Sequence, residues 1–386
     1  MSRPDRPVLS DSQLAGFRER ADQLDRDNEF FAEDFEELRR AGYLRVNVPE
    51  EFGGLGRSLP EVALEQRRLA EHAPATALAL TMHLYWTGAA ADRYRTGDHS
   101  AKWLLAEAGA GEVFAAGHGE PGNDLAIDDS LTEAEPAGSG AYRFTGRKVF
   151  TSLSPVWTRL GVHGRDDSDP DNPTLVHAFV ERRDPGVRTL RTWDTLGVRA
   201  TRSDDTALDG AVATSDRVVG LQPVGAEPPP FVACIFGWVL PLLGNVYHGI
   251  ARRALDLAID SASRRRSLAL GEGRTQAHKP TVQSAVADAE IKLDAAQAQL
   301  DRIAEEWHRG ADQSRTWNLK LFAAKEFATQ SAREVVDSAL SVVGAGGLHR
   351  SGEIERLYRD VRSGVFHPPN SEAVRDVVGR TALGLL

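Results

Sequence analysis

The sequence predicts a multidomain α+β protein with an N-terminal α-helical domain, a central antiparallel β-domain and a C-terminal four-helix bundle. Two observations predict this order. Apolar residues recur at helical spacing at both ends of the chain, whereas short runs of period-two alternation occupy its middle. Strands set between two helical blocks are typical of a β-domain in an otherwise α-helical protein. We expect the domains to span residues 1–110, 111–227 and 228–386.

The N-terminal domain is predicted from capped, amphipathic helices. Ser10 is a suitable N-cap before a run of apolar residues at helical spacing. Residues 73–91 are apolar on nearly every side, which indicates a buried helix. His83, Tyr85 and Trp86 on this helix are candidate residues of a substrate pocket, with plain core packing as the alternative.

Six short β-type runs follow, separated by loops rich in glycine, proline, aspartate and asparagine. The predicted strands are residues 113–116, 142–144, 148–151, 160–163, 175–180 and 206–208. Three consecutive prolines at residues 228–230 form a stiff connector to the last domain.

The last domain is predicted as an antiparallel bundle of long amphipathic helices with short loops. The long predicted helices are residues 231–265, 281–306 and 317–340. The first of them is expected to break near residues 241–244, because proline removes a helical hydrogen bond. Trp238 and Tyr247 on this helix are further candidates for an aromatic-lined substrate pocket, although such residues are more often core.

Composition and charge limit the classes of function. The 386-residue chain has a net charge of −10 and no basic stripe, which argues against nucleic-acid binding. The polar N-terminus lacks the apolar core of a signal peptide, and the longest apolar run, residues 231–243, is too short to span a bilayer. A single cysteine, Cys234, excludes an intrachain disulfide. We therefore expect a cytoplasmic protein that binds no membrane, and we predict no metal site.

Residues 114–157 have the features of a site for a flat, polar ring system. Two β-type runs flank turns of small residues, and their ends, at residues 116–117 and 151–152, are expected to leave backbone amides free. Glycine lets a ligand approach the main chain closely, and loops held by strands are frequent binding sites. Two ordinary strands joined by turns are the alternative interpretation.

Six sequence signatures occur in order along the chain. They are VPEEFGGLG (48–56), FAAGHGEPGNDLA (114–126), FTGRKVFTS (144–152), WDTLGVRATRSDDTALDG (193–210), VVGAGGL (342–348) and ERLYRDVR (355–362). Through them the chain resembles the acyl-CoA dehydrogenase superfamily of flavoproteins over its whole length. The helical, β, helical order of that superfamily agrees with the order predicted from periodicity.

The resemblance implies a flavin site that is completed between subunits, and hence a homodimer or homotetramer. The implied cofactor residues are Phe114, Ala116, Gly117 and Asn123 in the first strand and turn, Phe150, Thr151 and Ser152 beside the isoalloxazine, and Arg265, Gly344, Gly346 and Gly347 near the pyrophosphate. Arginine forks match phosphate oxygens, and glycines expose amides to an anion. The implied cofactor is FAD, with FMN as the alternative, because the Phe-Gly pair usual after the arginine is missing.

The chain departs from the dehydrogenase pattern at the catalytic base. In many members a glutamate follows an arginine-aspartate pair, and here Pro368 takes its place after Arg359 and Asp360. In other members the base lies on the first bundle helix, but residues 231–255 contain no acid. A proline cannot transfer a proton, so neither usual position offers a carboxylate.

A histidine, His367, stands beside the missing glutamate. In this the chain resembles flavin-dependent monooxygenases of the same fold, which take reduced flavin from a separate reductase and react it with oxygen. His367 is the implied hydrogen-bond donor or base, because an unperturbed histidine has a pKa near 6.5. Ser152 is the implied partner of the flavin, and His118, in the first flavin strand, is the third catalytic candidate.

Three functions stay open on the sequence. The first is a two-component flavin monooxygenase acting on a small organic substrate. The second is a dehydrogenase of acyl-CoA or acyl-carrier thioesters that uses a histidine as its base, and the third is a non-catalytic flavin-binding protein. The missing carboxylate favours the first. The expected partners are a small-molecule substrate, a separate flavin reductase or electron acceptor, and further copies of the chain.

Overall fold

The computed structural model describes residues 7–125, 127–311 and 317–385. Its first helices are α1 (Asp11–Asp27), α2 (Ala32–Arg40), α3 (Leu59–Ala70), α4 (Pro74–Arg95) and α5 (Lys102–Gly109). Ser10 caps α1 as predicted. Its hydroxyl accepts from the Gln13 amide, while the Gln13 side chain accepts from the Ser10 amide. The apolar helix α4 is buried on nearly every side.

The middle of the described chain forms one eight-stranded sheet. Its strands are β1 (Phe114–Gly117), β2 (Glu133–Pro136), β3 (Tyr142–Lys148), β4 (Arg159–Asp166), β5 (Thr174–Glu181), β6 (Val187–Leu190), β7 (Asp205–Ala213) and β8 (Val218–Pro223). The strand order is β6-β7-β3-β2-β4-β5-β8, with β1 joined to β4. Most neighbours are antiparallel, as predicted, but β1 and β2 each pair with β4 in parallel, so the sheet is mixed.

The sheet differs from the predicted strands at two kinds of position. The strands β2, β6 and β8 were not predicted, and β2 illustrates why: its residues are Glu, Ala, Glu and Pro, which have low strand propensity. The run predicted at residues 148–151 leaves the sheet after Lys148. There Phe150 adopts a φ of 60°, which lies outside the β region.

The last part of the chain is helical. Its helices are α6 (Pro230–Arg264), α7 (Pro280–His308), α8 (Trp317–Val343), α9 (Glu353–Asp360) and α10 (Ser371–Ala382). The predicted break in α6 is wrong, because the helix continues through Pro241. It is enclosed by α3, α4, α7 and α8, and the Asn245 side chain donates to the Pro241 carbonyl at 2.8 Å. Tertiary packing therefore outweighs the local effect of the proline.

Helix α6 is long and apolar enough to cross a membrane by length and composition alone. However, 78% of its most apolar window is buried inside the protein. The apolar surface of α6 is thus used by the bundle core and by α4.

A network of buried charges joins the three parts of the molecule. Arg359 on α9 binds Asp25 of α1 at 2.6 Å and donates to the Leu196 carbonyl, in the loop before β7, at 2.8 Å. The next residue, Asp360, accepts from the Val198 amide of the same loop at 2.6 Å. Burial raises the pKa of Asp360 to about 6. One pair of adjacent residues therefore fixes the first helix, the sheet and the last helices relative to one another.

We predict that Arg359→Met destabilises the fold strongly. The substitution leaves the buried Asp25 carboxylate without its cation, and breaking a buried pair costs about 3–5 kcal/mol. Urea unfolding followed by tryptophan fluorescence measures the loss. The control is Arg309→Met, which removes an exposed pair with Glu305 and should cost less than about 1 kcal/mol. Equal losses in the two variants would contradict the prediction.

Candidate active site

The two segments predicted to hold a flat ligand are neighbours in the structure. The Val149 amide donates to the Gly119 carbonyl at 2.8 Å, and a Cβ on Gly119 would lie 2.9 Å from the Val149 carbonyl oxygen. Behind this contact, Lys148 Nζ and Glu120 Oε1 form a buried ion pair at 2.6 Å. Lys148 also donates to the His163 carbonyl at 2.7 Å. This pair was not predicted, because each of its residues appears in the sequence as a single charge near the end of a β-type run.

Glu120 is the centre of the turn that follows β1. Its carboxylate accepts from the hydroxyls of Ser130 and Thr132 at 2.7 and 2.6 Å and from the Asn123 side chain at 2.8 Å. Burial by itself raises the pKa of Glu120, but Lys148 and these donors lower it below its ordinary value. The predicted cofactor residue Asn123 therefore uses its side-chain amide to hold the turn.

Within β1, Ala116 and Gly117 pair with Gly161 and Val162 of β4. A Cβ on Gly117 would lie 3.1 Å from the Leu160 side chain, so this position favours glycine for packing as well. Ala116 and Gly117, both predicted cofactor residues, therefore lie at the end of β1 that leads into the turn around Glu120.

The side chains of Phe114 and His83 lie in the core, and for His83 this argues against the predicted pocket role. The His83 imidazole accepts from the Phe114 amide at 3.1 Å and donates through Nε2 to the Leu44 carbonyl at 2.6 Å. Phe114 is fully buried and packs edge-on against Phe179 with ring centroids 5.7 Å apart. Since both nitrogens of His83 bind backbone groups, this residue locks α4 to β1 and lines no substrate pocket.

Trp238 and Tyr85 also lie in the core rather than on an open pocket. The Trp238 indole donates to Asp92 at 2.8 Å, and its ring fills the space where a Cβ on Gly88 would stand. Tyr85 is 3% exposed and packs against Trp86 with ring centroids 5.0 Å apart. Their predicted pocket role is therefore not supported by their exposure.

His118 and Trp86 stand together at the end of β1. The Trp86 indole donates to the Ala115 carbonyl at 3.1 Å, and its ring centroid lies 5.5 Å from that of His118. His118 is half-buried, and its ring lies 5.4 Å from His163. Burial lowers the pKa of His118, so this imidazole is neutral at physiological pH. Trp86, a predicted pocket residue, thus contacts the candidate catalytic side chain of His118.

The predicted flavin loop combines an exposed aromatic ring with buried hydroxyls. Phe150 is 66% exposed and approaches Trp193 edge-on, with ring centroids 6.1 Å apart. Thr151 Oγ1 is buried without a hydrogen-bond partner among the described residues. Ser152 Oγ lies 2.8 Å from Ser203 Oγ. An exposed ring beside an unsatisfied hydroxyl fits a planar ligand that carries polar edges.

His367 is held by two residues that lie far from it in the sequence. The Tyr247 hydroxyl lies 2.6 Å from His367 Nε2, in a hydrogen bond. The buried Lys325 ammonium donates to the carbonyls of His367 and Pro369 at 2.8 and 3.0 Å. Burial, with Lys325 nearby, lowers the pKa of His367, so its imidazole is neutral. Tyr247 is fully buried and therefore positions the histidine instead of lining an open pocket.

The loops that carry Ser152 and His367 are anchored to the same network. Leu153, next to Ser152, donates through its amide to the Thr201 carbonyl at 3.1 Å. The loop that contains Thr201 is bound to Asp360 through Val198, and Asp360 is followed by the turn that carries His367. The bond between Asp360 and Val198 thus links the two loops that carry the candidate groups.

Arg265 and the glycine turn form a candidate phosphate site. The exposed Arg265 guanidinium donates to the Val343 carbonyl and lies 3.5 Å from where a Cβ on Gly344 would stand. Gly344 has a φ of 77°, and no atom lies within 4 Å of a Cβ placed on Gly346. Gly347 is buried, and its small size serves packing. An arginine beside an open glycine turn fits a flavin phosphate.

The sequence of this chain matches known protein families and relatives over most of its length. Residues 15–108 match the family model "Acyl-CoA dehydrogenase, N-terminal domain", and residues 242–371 match "Acyl-CoA dehydrogenase, C-terminal domain". L-evernosamine nitrososynthase of Micromonospora sp. is 32% identical over 380 residues, which cover 94% of this chain and 86% of that protein. The chain belongs to the acyl-CoA dehydrogenase family. It is accordingly a flavin-dependent oxidoreductase.

Other members of the family carry different activities in their names. The putative acyl-CoA dehydrogenase YdbM of Bacillus subtilis is 31% identical and covers 93% of this chain and 91% of its own. Dibenzothiophene monooxygenase of Mycolicibacterium goodii is 28% identical, with coverages of 89% and 86%. The structure of KijD3 with FMN and an amino-keto sugar nucleotide has a TM-score of 0.83 at 29% identity, with coverages of 97% and 92%.

We predict that His83 makes stability depend on pH. Burial lowers its pKa from 6.5 to about 4, so the unfolded chain binds the extra proton between these values. Stability therefore rises with pH from about 4 to 6.5 and is lost as pH falls through that window, by up to about 1.4 kcal/mol per pH unit. His83→Gln should lower overall stability. It should also make the dependence of the unfolding free energy on pH shallower, because one group fewer takes up a proton on unfolding.

Urea unfolding at several pH values between 4 and 7 tests this prediction. The control is His99→Gln, which changes an exposed histidine and should keep the wild-type slope. A His83→Gln variant with an unchanged slope would show that His83 does not control the acid response.

Proposed function

We propose that this chain is a flavin-dependent monooxygenase that receives reduced flavin from a separate reductase and oxygenates a small organic substrate. One observation carries the proposal. The turn after α9 presents the neutral His367, bonded to Tyr247, and a proline where the resemblance places a dehydrogenase carboxylate. Removal of an α-proton needs a base of that kind, whereas oxygen transfer from a reduced flavin does not. The monooxygenase and nitrososynthase relatives support this choice.

The residues of the chain take distinct roles in this proposal. The flavin, when bound, supplies the redox chemistry and the reaction with oxygen. Ser152 and Thr151 offer hydroxyls to its polar edge, and Phe150 offers an aromatic face. His367 holds or moves a proton at its imidazole, because Tyr247 and Lys325 keep that ring in place. A neutral imidazole is competent as an acceptor or as a donor at physiological pH.

The decisive experiment mixes the anaerobically reduced flavin complex with oxygenated buffer in a stopped-flow spectrometer. We expect a transient absorption band that belongs to neither reduced nor oxidised flavin. His367→Ala should shorten its lifetime and lower substrate oxygenation by about 10²- to 10⁴-fold, the usual contribution of a positioned acid or base. The matched control is His99→Ala, which removes an exposed histidine.

Two results would contradict the proposal. One is direct return to oxidised flavin with no transient band in the wild-type protein. The other is anaerobic bleaching of the oxidised flavin by acyl-CoA thioesters, which would establish the dehydrogenase alternative named by the YdbM relative. In that case His367 would be the base for the α-proton.

We further propose that the cofactor is FMN, bound between subunits. The FMN complex of KijD3 supports FMN over the FAD expected from the sequence, as does the replacement of Phe-Gly by Arg266 and Ser267. A subunit interface is supported by two apolar side chains beside the phosphate site, since Leu268 is 97% exposed and Leu348 is 67% exposed. Another copy of the chain would remove both from water.

We predict that Arg265→Gln weakens FMN binding by roughly 10- to 100-fold, because the phosphate loses a charge-assisted hydrogen bond. Fluorescence titration measures the affinity for FMN and FAD. Arg264→Gln is the matched control, since this neighbouring arginine is exposed and paired with Asp260. Analytical ultracentrifugation measures the oligomeric state. If the site lies between subunits, the affinity for FMN should fall when the protein is diluted until its oligomer dissociates. Tighter binding of FAD, or an equal effect of the two arginine variants, would refute this assignment.

A further inference from the structure

Three buried hydroxyl groups form a chain behind the predicted flavin loop. Ser152 Oγ lies 2.8 Å from Ser203 Oγ, which in turn lies 2.8 Å from Thr201 Oγ1. Thr201 is fully buried and Ser203 is 3% exposed, whereas Ser152, at 8%, is the member closest to the surface. The hydroxyl chain therefore runs from the protein interior towards the candidate site.

Two facing loops hold these hydroxyls at fixed separations. The Leu153 amide donates to the Thr201 carbonyl at 3.1 Å, and the Ser154 amide donates to the Arg202 carbonyl at 3.0 Å. The two loops also contain four non-glycine residues with left-handed backbone, at φ between 43° and 64°. They are Phe150, Leu153, Val198 and Arg202. Such conformations persist only where the surrounding structure holds them, and they cluster at functional sites.

The available hydrogen-bond partners determine which of the three hydroxyls donates to which. Each hydroxyl has one proton to donate and two lone pairs to accept. Among the described residues, the Thr201 hydroxyl bonds only to Ser203, and a buried donor without an acceptor is destabilising. Thr201 therefore donates to Ser203, and Ser203 donates to its remaining partner, Ser152. The proton of Ser152 is left to point out of the chain.

We propose that Ser203 and Thr201 are positioning residues that make Ser152 a hydrogen-bond donor towards the bound flavin. The inference rests on the proposed flavin site beside Ser152. Its ligand chemistry is a carbonyl oxygen or ring nitrogen of the isoalloxazine, which accepts and does not donate. With the opposite direction of protons, Ser152 would present only lone pairs to that edge and would repel it. The buried hydroxyls of Ser203 and Thr201 thus make Ser152 a hydrogen-bond donor before the flavin binds.

The test is a double-mutant cycle on binding of oxidised FMN, with Ser152→Ala and Ser203→Ala. Without Ser203 the Ser152 hydroxyl loses its internal donor and rotates. We expect the Kd for FMN to rise by about 2- to 10-fold, the usual effect of one hydrogen bond. The Raman band of the flavin group that accepts the bond should shift: the carbonyl stretch to higher frequency for an oxygen acceptor, or the ring C=N stretch for a nitrogen acceptor. In the Ser152→Ala background, Ser203→Ala should change neither quantity, because the group that it orients is gone.

Two further variants separate orientation from simple packing. Thr201→Val should have a smaller effect than Ser203→Ala, because Ser203 keeps Ser152 as its acceptor. Thr195→Val is the matched control: its hydroxyl bonds to the Gly197 carbonyl at 3.0 Å on the same loop and does not reach Ser152. It should leave the Kd and the spectrum unchanged.

The outcomes distinguish this inference from the proposed function. Equal losses for Ser203→Ala with and without Ser152 would overturn the inference, as would an unchanged Kd and spectrum in Ser203→Ala alone. If Ser203→Ala does not fold, the cycle is run with Ser203→Cys, whose thiol is a weak donor, and zero coupling to Ser152 overturns the inference. Coupled residues in a protein that never oxygenates a substrate would support the inference and end the monooxygenase proposal. If the residues are uncoupled but the protein oxygenates a substrate, the inference fails and the monooxygenase proposal stands.

Discussion

The structure depends on a buried contact between charges that are far apart in the sequence. Arg359 bridges Asp25 of the first helix and the loop before β7, and Asp360 binds the same loop through its carboxylate. Buried charges are costly unless each is paired and hydrogen-bonded, and here each is. Because this loop supports Ser152 and the following turn carries His367, the contact sets the geometry of the candidate site as well as that of the fold.

The candidate site is built from conformations that local rules disfavour. Phe150 and Leu153 have left-handed backbone on either side of Ser152. The buried Lys148–Glu120 pair holds the strand ends beneath them, and internal hydroxyls bond Ser152 from behind. A loop that is fixed in this way presents its polar groups without reorganisation when a ligand binds, which is what precise recognition of a flat cofactor requires.

In our proposal, the chemistry of this chain depends on one turn. Pro368 stands where the resemblance places a carboxylate base, while its neighbour His367 is held by Tyr247 and by the buried Lys325. The fold by itself does not choose between proton abstraction and oxygen transfer, since relatives with both kinds of name share it. We propose that the choice lies in which side chain can exchange a proton at that turn.

The sequence by itself determined the order of helices, sheet and helices and the family, and it predicts a site in the segments around Ser152, Arg265 and His367. Hydrophobic period, glycine turns and motif order are local properties, so they are readable without coordinates. Only the tertiary structure decided that His83 packs in the core and that Tyr247 hydrogen-bonds to His367. It also decided that α6 continues through its proline and that the hydroxyl of Ser203 lies against that of Ser152. These outcomes depend on contacts between residues distant in sequence, which no local pattern encodes.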